Sequence, residues 1–257
     1  MMRPSSPISS APDLTLQVYV LGTVDFEAAV RLQHRLHYEI CETRSRAALI
    51  LCEHLPLITI GRQGSHAHIR WECGPAAGKA ASGPPIRWVN RGGGCILHMP
   101  GQLAVYPIFP LDRLELDITG YLQRLAQACL DVTGDFSLRM PARAEGDGVW
   151  VGDRLLAVLG VTVHDWVSSF GAYLNVQPAL EYYRLVQTIP GRREPMTSLE
   201  RERRGPVRPS TVRQRLIEQF QARFGFTRSA LFSDHPALAG SVRRCDVRTH
   251  HAVASSG

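Results

Sequence analysis

Arg91-Gly92-Gly93-Gly94, followed by His98 and Pro100-Gly101-Gln102, is the densest group of residues able to do chemistry in this sequence. Three successive glycines open backbone positions that a side chain would block. The chain can then bend sharply and lie against a ligand with its amide N–H groups exposed. Arg91 at the mouth of such a turn could meet an anionic group. The alternative is a structural glycine turn between two strands. A dinucleotide fingerprint does not fit, because the glycine spacing differs and a strand, not a helix, is expected to follow.

Nucleophiles are few. The cysteines are Cys41, Cys52, Cys73, Cys95, Cys129 and Cys245, and no two form a CxxC pair. Cys52, Cys95 and Cys129 have apolar neighbours, as buried free thiols do. No Cys/His spacing suits structural zinc, so no metal is expected. Cys95 adjoins the glycine turn, but alternation puts Ile96 and His98 on one face and Cys95 and Leu97 on the other. If His98 faces a ligand, Cys95 faces the core. Cys245, beside Arg243 and Arg244, has charged company that could lower a thiol pKa. Lys79 is the only lysine, so any step needing an amine has one candidate. Arginine cannot replace it, because a guanidinium stays protonated.

These residues must be positioned by a chain of 257 residues, with 44% hydrophobic and 20% charged side chains and a net charge of +6. That is enough for one substantial core and excludes a wholly disordered chain. The positive charge suits an acidic partner or a solvated arginine-rich surface. Nucleic acid is disfavoured, since no zinc finger, phosphate loop or aromatic-interleaved arginine stripe occurs. Residues 1–13 read as a flexible N-terminus without a signal-peptide core. No segment has transmembrane length, and a cytoplasmic protein is expected.

Alternation predicts strands at 14–22, 47–54 and 55–61, and a helix over 26–43 with Ala29, Leu32, Leu36 and Ile40 as its apolar stripe. Residues 71–85 read as a loop. Strand, glycine turn, strand, Pro100-Gly101 turn and strand follow. A helix is expected from Glu115 to Leu130, a short strand at 136–140, and a hairpin turning at Gly152-Asp153. A short helix over 178–185, an irregular loop over 186–199 and a helix from Thr211 to Phe224, with Thr211 helping to cap it, complete a main domain over 14–231. A weakly patterned tail spans 232–257. Strands outnumber helices and often follow one another directly, so the fold class is α+β.

The ordered blocks resemble the lipoyl(octanoyl) transferases of the lipoate-ligase and biotin-ligase superfamily. LCEHLPLITIGR (51–62), RGGGCILHMPGQLAVYP (91–107), GVWVGDRLLAVLG (148–160), Gly171 with Asn175, and Thr197-Ser198-Leu199 carry the resemblance over roughly residues 15–225. It implies lipoate/biotin ligase-like mixed sheets with flanking helices. It also implies transfer of an octanoyl group from acyl carrier protein, first to a cysteine and then to a lysine of a lipoyl domain. A thiolate suits thioester exchange. The implied partners are octanoyl acyl carrier protein and the lipoyl domains of 2-oxoacid dehydrogenase or glycine cleavage proteins. No cofactor, metal or membrane is implied, and a monomer is expected. The implied acyl slot is lined by Arg91, Gly92, Gly93, Gly94, His98, Gly101, Gly160, Phe170 and Gly171. Burying seven methylenes there would supply on the order of 5 kcal/mol before ordering costs.

The sequence departs from the family at its reactive positions. Where the resemblance places the cysteine stands Ile189, and where it places the lysine stands Leu155, beside Arg154. The family histidine before Gly171 is Phe170, and the threonine two before His98 is Ile96. Polar groups are thus replaced by apolar ones, as a repacked pocket would need. The catalytic residues are therefore unassigned, with Cys95 as the candidate relocated nucleophile. Three readings follow: an octanoyltransferase with a displaced nucleophile, a catalytically silent relative that binds medium-chain acyl groups, a carrier or a lipoyl domain, and an ATP-dependent lipoate ligase. The lysine of the last is also missing. The blocks further predict that Arg91–Gly94 and His98 share a cleft with Leu155, Phe170 and Ile189.

Overall fold

The computed structural model describes residues 14–70, 83–189, 195–238 and the backbone of 242–243. β1 (Thr15–Val24) leads into α1 (Phe26–Thr43). Asp25 starts that helix, its carboxylate accepting the Ala28 N–H at 3.0 Å, which satisfies one of the donors a helix leaves open. The predicted stripe of Ala29, Leu32, Leu36 and Ile40 is buried. β2 (Arg46–Glu53), β3 (Leu57–Ile60), β4 (Ile86–Trp88), β5 (Cys95–His98) and β6 (Gln102–Ile108) follow. Then come α2 (Ile118–Gly134), β7 (Ala142–Glu145), β8 (Gly148–Val151), β9 (Arg154–His164) and β10 (Val167–Asn175). A 3-10 helix at Leu180–Leu185, α3 (Leu199–Arg203), α4 (Pro209–Phe224), β11 (Arg228–Phe232) and β12 (Val242–Arg243) complete the order.

The main sheet runs β11-β1-β2-β6-β10-β9-β8-β7, with β12 against the end of β1. β1 is parallel to both β2 and β11, and the other neighbours along that path are antiparallel. A second sheet, β4-β3-β5, carries the glycine turn between its outer strands. Alternation along the central strands builds two cores. Ala47, Leu49, Leu51, Leu103 and Val105 face α2 and α4. Ala48, Ile50, Cys52, Ala104 and Tyr106 face α1 and the small sheet.

Several boundaries differ from the sequence expectation, each for a local reason. α2 starts at Ile118, not Glu115, because Glu115 has φ of 52° and Asp117 is the cap, accepting from the Gly120 N–H at 2.6 Å. Residues 136–140 are a turn, with Ser137 at φ of 48°, and the strand comes later as β7. α4 begins at Pro209, whose missing N–H costs nothing in the first turn. Its start has no side-chain cap, so Thr211 does not cap it. α3, β10, β11 and β12 were not expected from the sequence pattern.

Candidate functional site

The glycine turn is held by its own arginine. Arg91 is 0% exposed, turned inward and not placed at a mouth. Its Nη1 donates to the carbonyls of Gly92 (2.9 Å) and Gly94 (3.1 Å), and its Nη2 to the Thr59 carbonyl (3.1 Å) and hydroxyl (2.7 Å). Burial draws its pKa down, yet a guanidinium stays charged. The turn also docks on β9, where the Gly92 N–H donates to the Val161 carbonyl at 2.8 Å. A Cβ on Gly160 would stand 2.9 Å from the Gly92 carbonyl oxygen, so this approach requires glycine there. Gly93 has φ of 77°, a conformation that favours glycine. At the other turn, the Gly101 N–H donates to Glu53 Oε2 at 2.9 Å.

His98 lies on the same face as Thr59. The Thr59 hydroxyl accepts from Arg91 at 2.7 Å and shares a second hydrogen bond with His98 Nε2 at 2.9 Å. Burial and the charges of His54 and Arg91 hold the His98 pKa well below its ordinary value, so the ring is neutral. Its Nδ1 is buried without a hydrogen-bond partner among the described residues. Beside it, His54 Nδ1 donates to the Val24 carbonyl at 2.9 Å and Nε2 accepts the Tyr106 hydroxyl at 2.8 Å.

The other blocks meet this group through buried polar side chains. The Gln102 amide donates to Asn175 Oδ1 and to the Tyr183 hydroxyl, both at 3.1 Å. Asn175 donates to the Thr197 carbonyl at 3.1 Å. Thr197 bonds Glu202, which takes a two-pronged ion pair from Arg154 at 2.8 and 2.9 Å. Arg154 is therefore engaged in holding α3.

Leu155, Phe170 and Ile189 lie in or against one extended apolar cluster. Leu155 and Phe170 belong to the core that contains Cys95, Ile96 and Leu97, and Ile189 packs against it. Leu155 is clamped to the segment after Ile189: its N–H donates to the Pro195 carbonyl at 2.9 Å, and its carbonyl accepts from the Thr197 N–H at 3.0 Å. Two backbone features aim these side chains. The β8–β9 register shifts so that Val149 faces Ala157 while Trp150 faces Leu155. The bulge leaves Leu156 extra and turns Leu155 to the side of Val158. Phe170 has φ of 57°, with its N–H bonded to Gln33 Oε1 at 2.8 Å. It thereby points into the same core as Tyr173, against simple alternation.

Tyr173 is the residue that sequence reasoning missed. Its ring meets His98 at 4.9 Å and Tyr106 at 5.9 Å, and Arg91 lies over it at 5.8 Å. It is 1% exposed. A tyrosine within the apolar run of β10 was the only available signal.

The described cysteines are all free: Cys41, Cys52, Cys95 and Cys129. Cys95 Sγ donates to the Ser65 carbonyl at 3.4 Å. Burial raises its pKa, against the Ser65 carbonyl and the Arg91 charge, which lower it. Burial pushes Cys129 up to about 12 and Cys52 higher still, and it raises Cys41 as well. Cys73, Lys79 and Cys245 lie outside the described residues.

Comparison with known proteins agrees with this architecture. The model of the family described as lipoyl protein ligase A/B catalytic domain matches residues 25–221. An octanoyltransferase of Geotalea uraniireducens (strain Rf4) is 32% identical over 209 residues, covering 80% of this chain and 92% of that one. An octanoyltransferase of Solibacter usitatus (strain Ellin6076) is 34% identical over 182 residues, covering 70% and 80%. Among solved structures, an archaeal bi-partite lipoate protein ligase studied with its E2 lipoyl domain, from Thermoplasma acidophilum, superposes with a TM-score of 0.63. The identity is 16%, with 88% of this chain and 90% of that one covered. This likeness concerns the fold, which is the α+β arrangement of mixed sheets with flanking helices expected from the sequence. The chain is a member of the lipoyl protein ligase A/B catalytic domain family.

Proposed function

We propose that this protein handles octanoyl groups in lipoate assembly, in the class of the octanoyl-[acyl-carrier-protein]:protein N-octanoyltransferases. In this reading it binds an octanoyl carrier protein or a lipoyl domain without passing the acyl group through a cysteine–lysine pair of its own. The relatives named octanoyltransferase support the substrate class. One observation carries the loss of the covalent step. Leu155, at the position the resemblance assigns to lysine, is buried in an apolar cluster, and Ile189, at the position assigned to cysteine, is half-buried and packs against the same cluster. No described cysteine there has a lowered pKa. The protein is proposed to act as a cytoplasmic monomer, and no described helix is long and apolar enough to cross a membrane.

A second reading is an active octanoyltransferase with Cys95 as a relocated nucleophile. It is favoured by the place of Cys95 in the same cluster as Leu155 and by the Arg91 charge, which draws its thiol pKa down against burial.

The test mixes the full chain with octanoyl carrier protein and an unmodified lipoyl domain. The expected result is calorimetric binding that weakens with salt, as charge-assisted encounter requires, with no octanoyl mass gain on the lipoyl domain. A mass gain abolished by Cys95→Ser establishes the second reading. Folded protein that binds neither partner overturns both.

A further inference from the structure

We propose that the cavity between the 3-10 helix Leu180–Leu185 and residues 195–201 is the subsite for the phosphate-bearing arm of a thioester donor. This deepens the reading that the chain handles an octanoyl thioester, and rests on it.

The cavity has a volume of about 670 Å³, within the size of small-molecule sites. Tyr183, Val186 and Met196 give it an apolar floor, and Arg70, Arg184 and Arg201 stand on its wall. Glu181 is the single acid in the lining. Among the described residues, none of these three arginines makes an ion pair. All three are exposed. Cationic forks above an apolar floor fit a ligand with an anionic oxygen cluster at one end and an uncharged chain behind it.

The walls are built, not incidental. The Arg70 N–H donates to the Leu185 carbonyl at 2.7 Å, and the Gln187 N–H to the His68 carbonyl at 2.8 Å. Ile69 bridges Val186 between them. The Tyr183 hydroxyl accepts from the Gln102 amide, in the block that carries His98. At the floor, Met196 bridges Leu155. An arm seated with its phosphate on the arginines would therefore run along the apolar floor of Tyr183, Val186 and Met196, which is where its uncharged chain would lie.

The test measures binding of three probes to the full chain: octanoyl-phosphopantetheine, octanoyl-pantetheine without the phosphate, and phosphopantetheine without the octanoyl group. The expected result is that the first binds about ten-fold tighter than the second at low salt. An Arg70→Ala/Arg184→Ala double variant with unchanged thermal midpoint should lose that preference. Equal binding of the two octanoyl probes, or a preference that survives in the double variant, overturns the subsite and leaves octanoyl handling standing. Phosphopantetheine binding as well as its octanoyl form keeps the subsite and removes the octanoyl reading. Failure of all three probes to bind overturns both.

Discussion

Arg91 lies over the ring of Tyr173, 5.8 Å from its centroid, with both residues buried. An arginine beside three glycines thus works as an internal strut. Its guanidinium carries four hydrogen bonds to the turn and to Thr59. Removing it leaves buried carbonyls without donors. Arg91→Ala should lower unfolding free energy by about 3 kcal/mol or more, read from urea denaturation. A change under about 1 kcal/mol would place Arg91 in solvent.

Acid should weaken the fold through the histidines beneath this strut. Burial pushes the His54 pKa down to about 4, against the bond to Val24 that raises it. An unfolded histidine titrates near 6.5, so between those values the unfolded chain binds a proton that the folded chain refuses. Stability is full above the unfolded pKa and falls as pH drops through this window, by roughly 3 kcal/mol for His54 alone. His98 acts in the same direction. Thermal midpoints of wild type and His54→Gln between pH 7 and pH 4 check this. An equally steep loss in the variant would remove His54 as a cause.

Leu155 should behave as a core residue. It is 0% exposed, and its backbone is clamped on both sides by Pro195 and Thr197. Leu155→Met should cost under about 1.5 kcal/mol. Leu155→Lys should cost about 3 kcal/mol or more, since a charge would enter an apolar cluster. A Leu155→Lys protein as stable as wild type would show a polar, open site at that position.

Thiol reactivity separates packing cysteines from nucleophiles. Cys95 is 0% exposed and burial raises its pKa, whereas Cys41 is partly exposed. In native protein at pH 8, iodoacetamide should label Cys41 at least about ten-fold faster than Cys95. Faster labelling of Cys95 would support a relocated nucleophile.

Much of this architecture is legible in the sequence, and the rest is hidden for identifiable reasons. The helix of Ala29, Leu32, Leu36 and Ile40 announces itself because one face repeats every three to four residues. The alternation of Ile96 and His98 against Cys95 and Leu97 likewise matches the buried His98–Thr59 bond. The bulge beside Leu156 does not show, because its cause is the register of β8 on β9. Nor does the left-handed backbone of Phe170, fixed by Gln33 on a distant helix. The inward course of Arg91 depends on Thr59 and Tyr173, which lie in other strands, so charge beside glycines reads as a mouth. Leu155 and Phe170 are buried in one extended apolar cluster, and Ile189 packs against that cluster. Pattern alone does not disclose that Tyr173 packs between Arg91 and His98.

The central claim is that the acyl group is not passed through a cysteine of this chain. Intact-mass measurement of the purified full chain after incubation with octanoyl carrier protein, repeated after hydroxylamine, tests it most directly. The account predicts an unmodified mass in both spectra. A hydroxylamine-labile octanoyl adduct mapped to Cys95, or to any other cysteine of the chain, would contradict it.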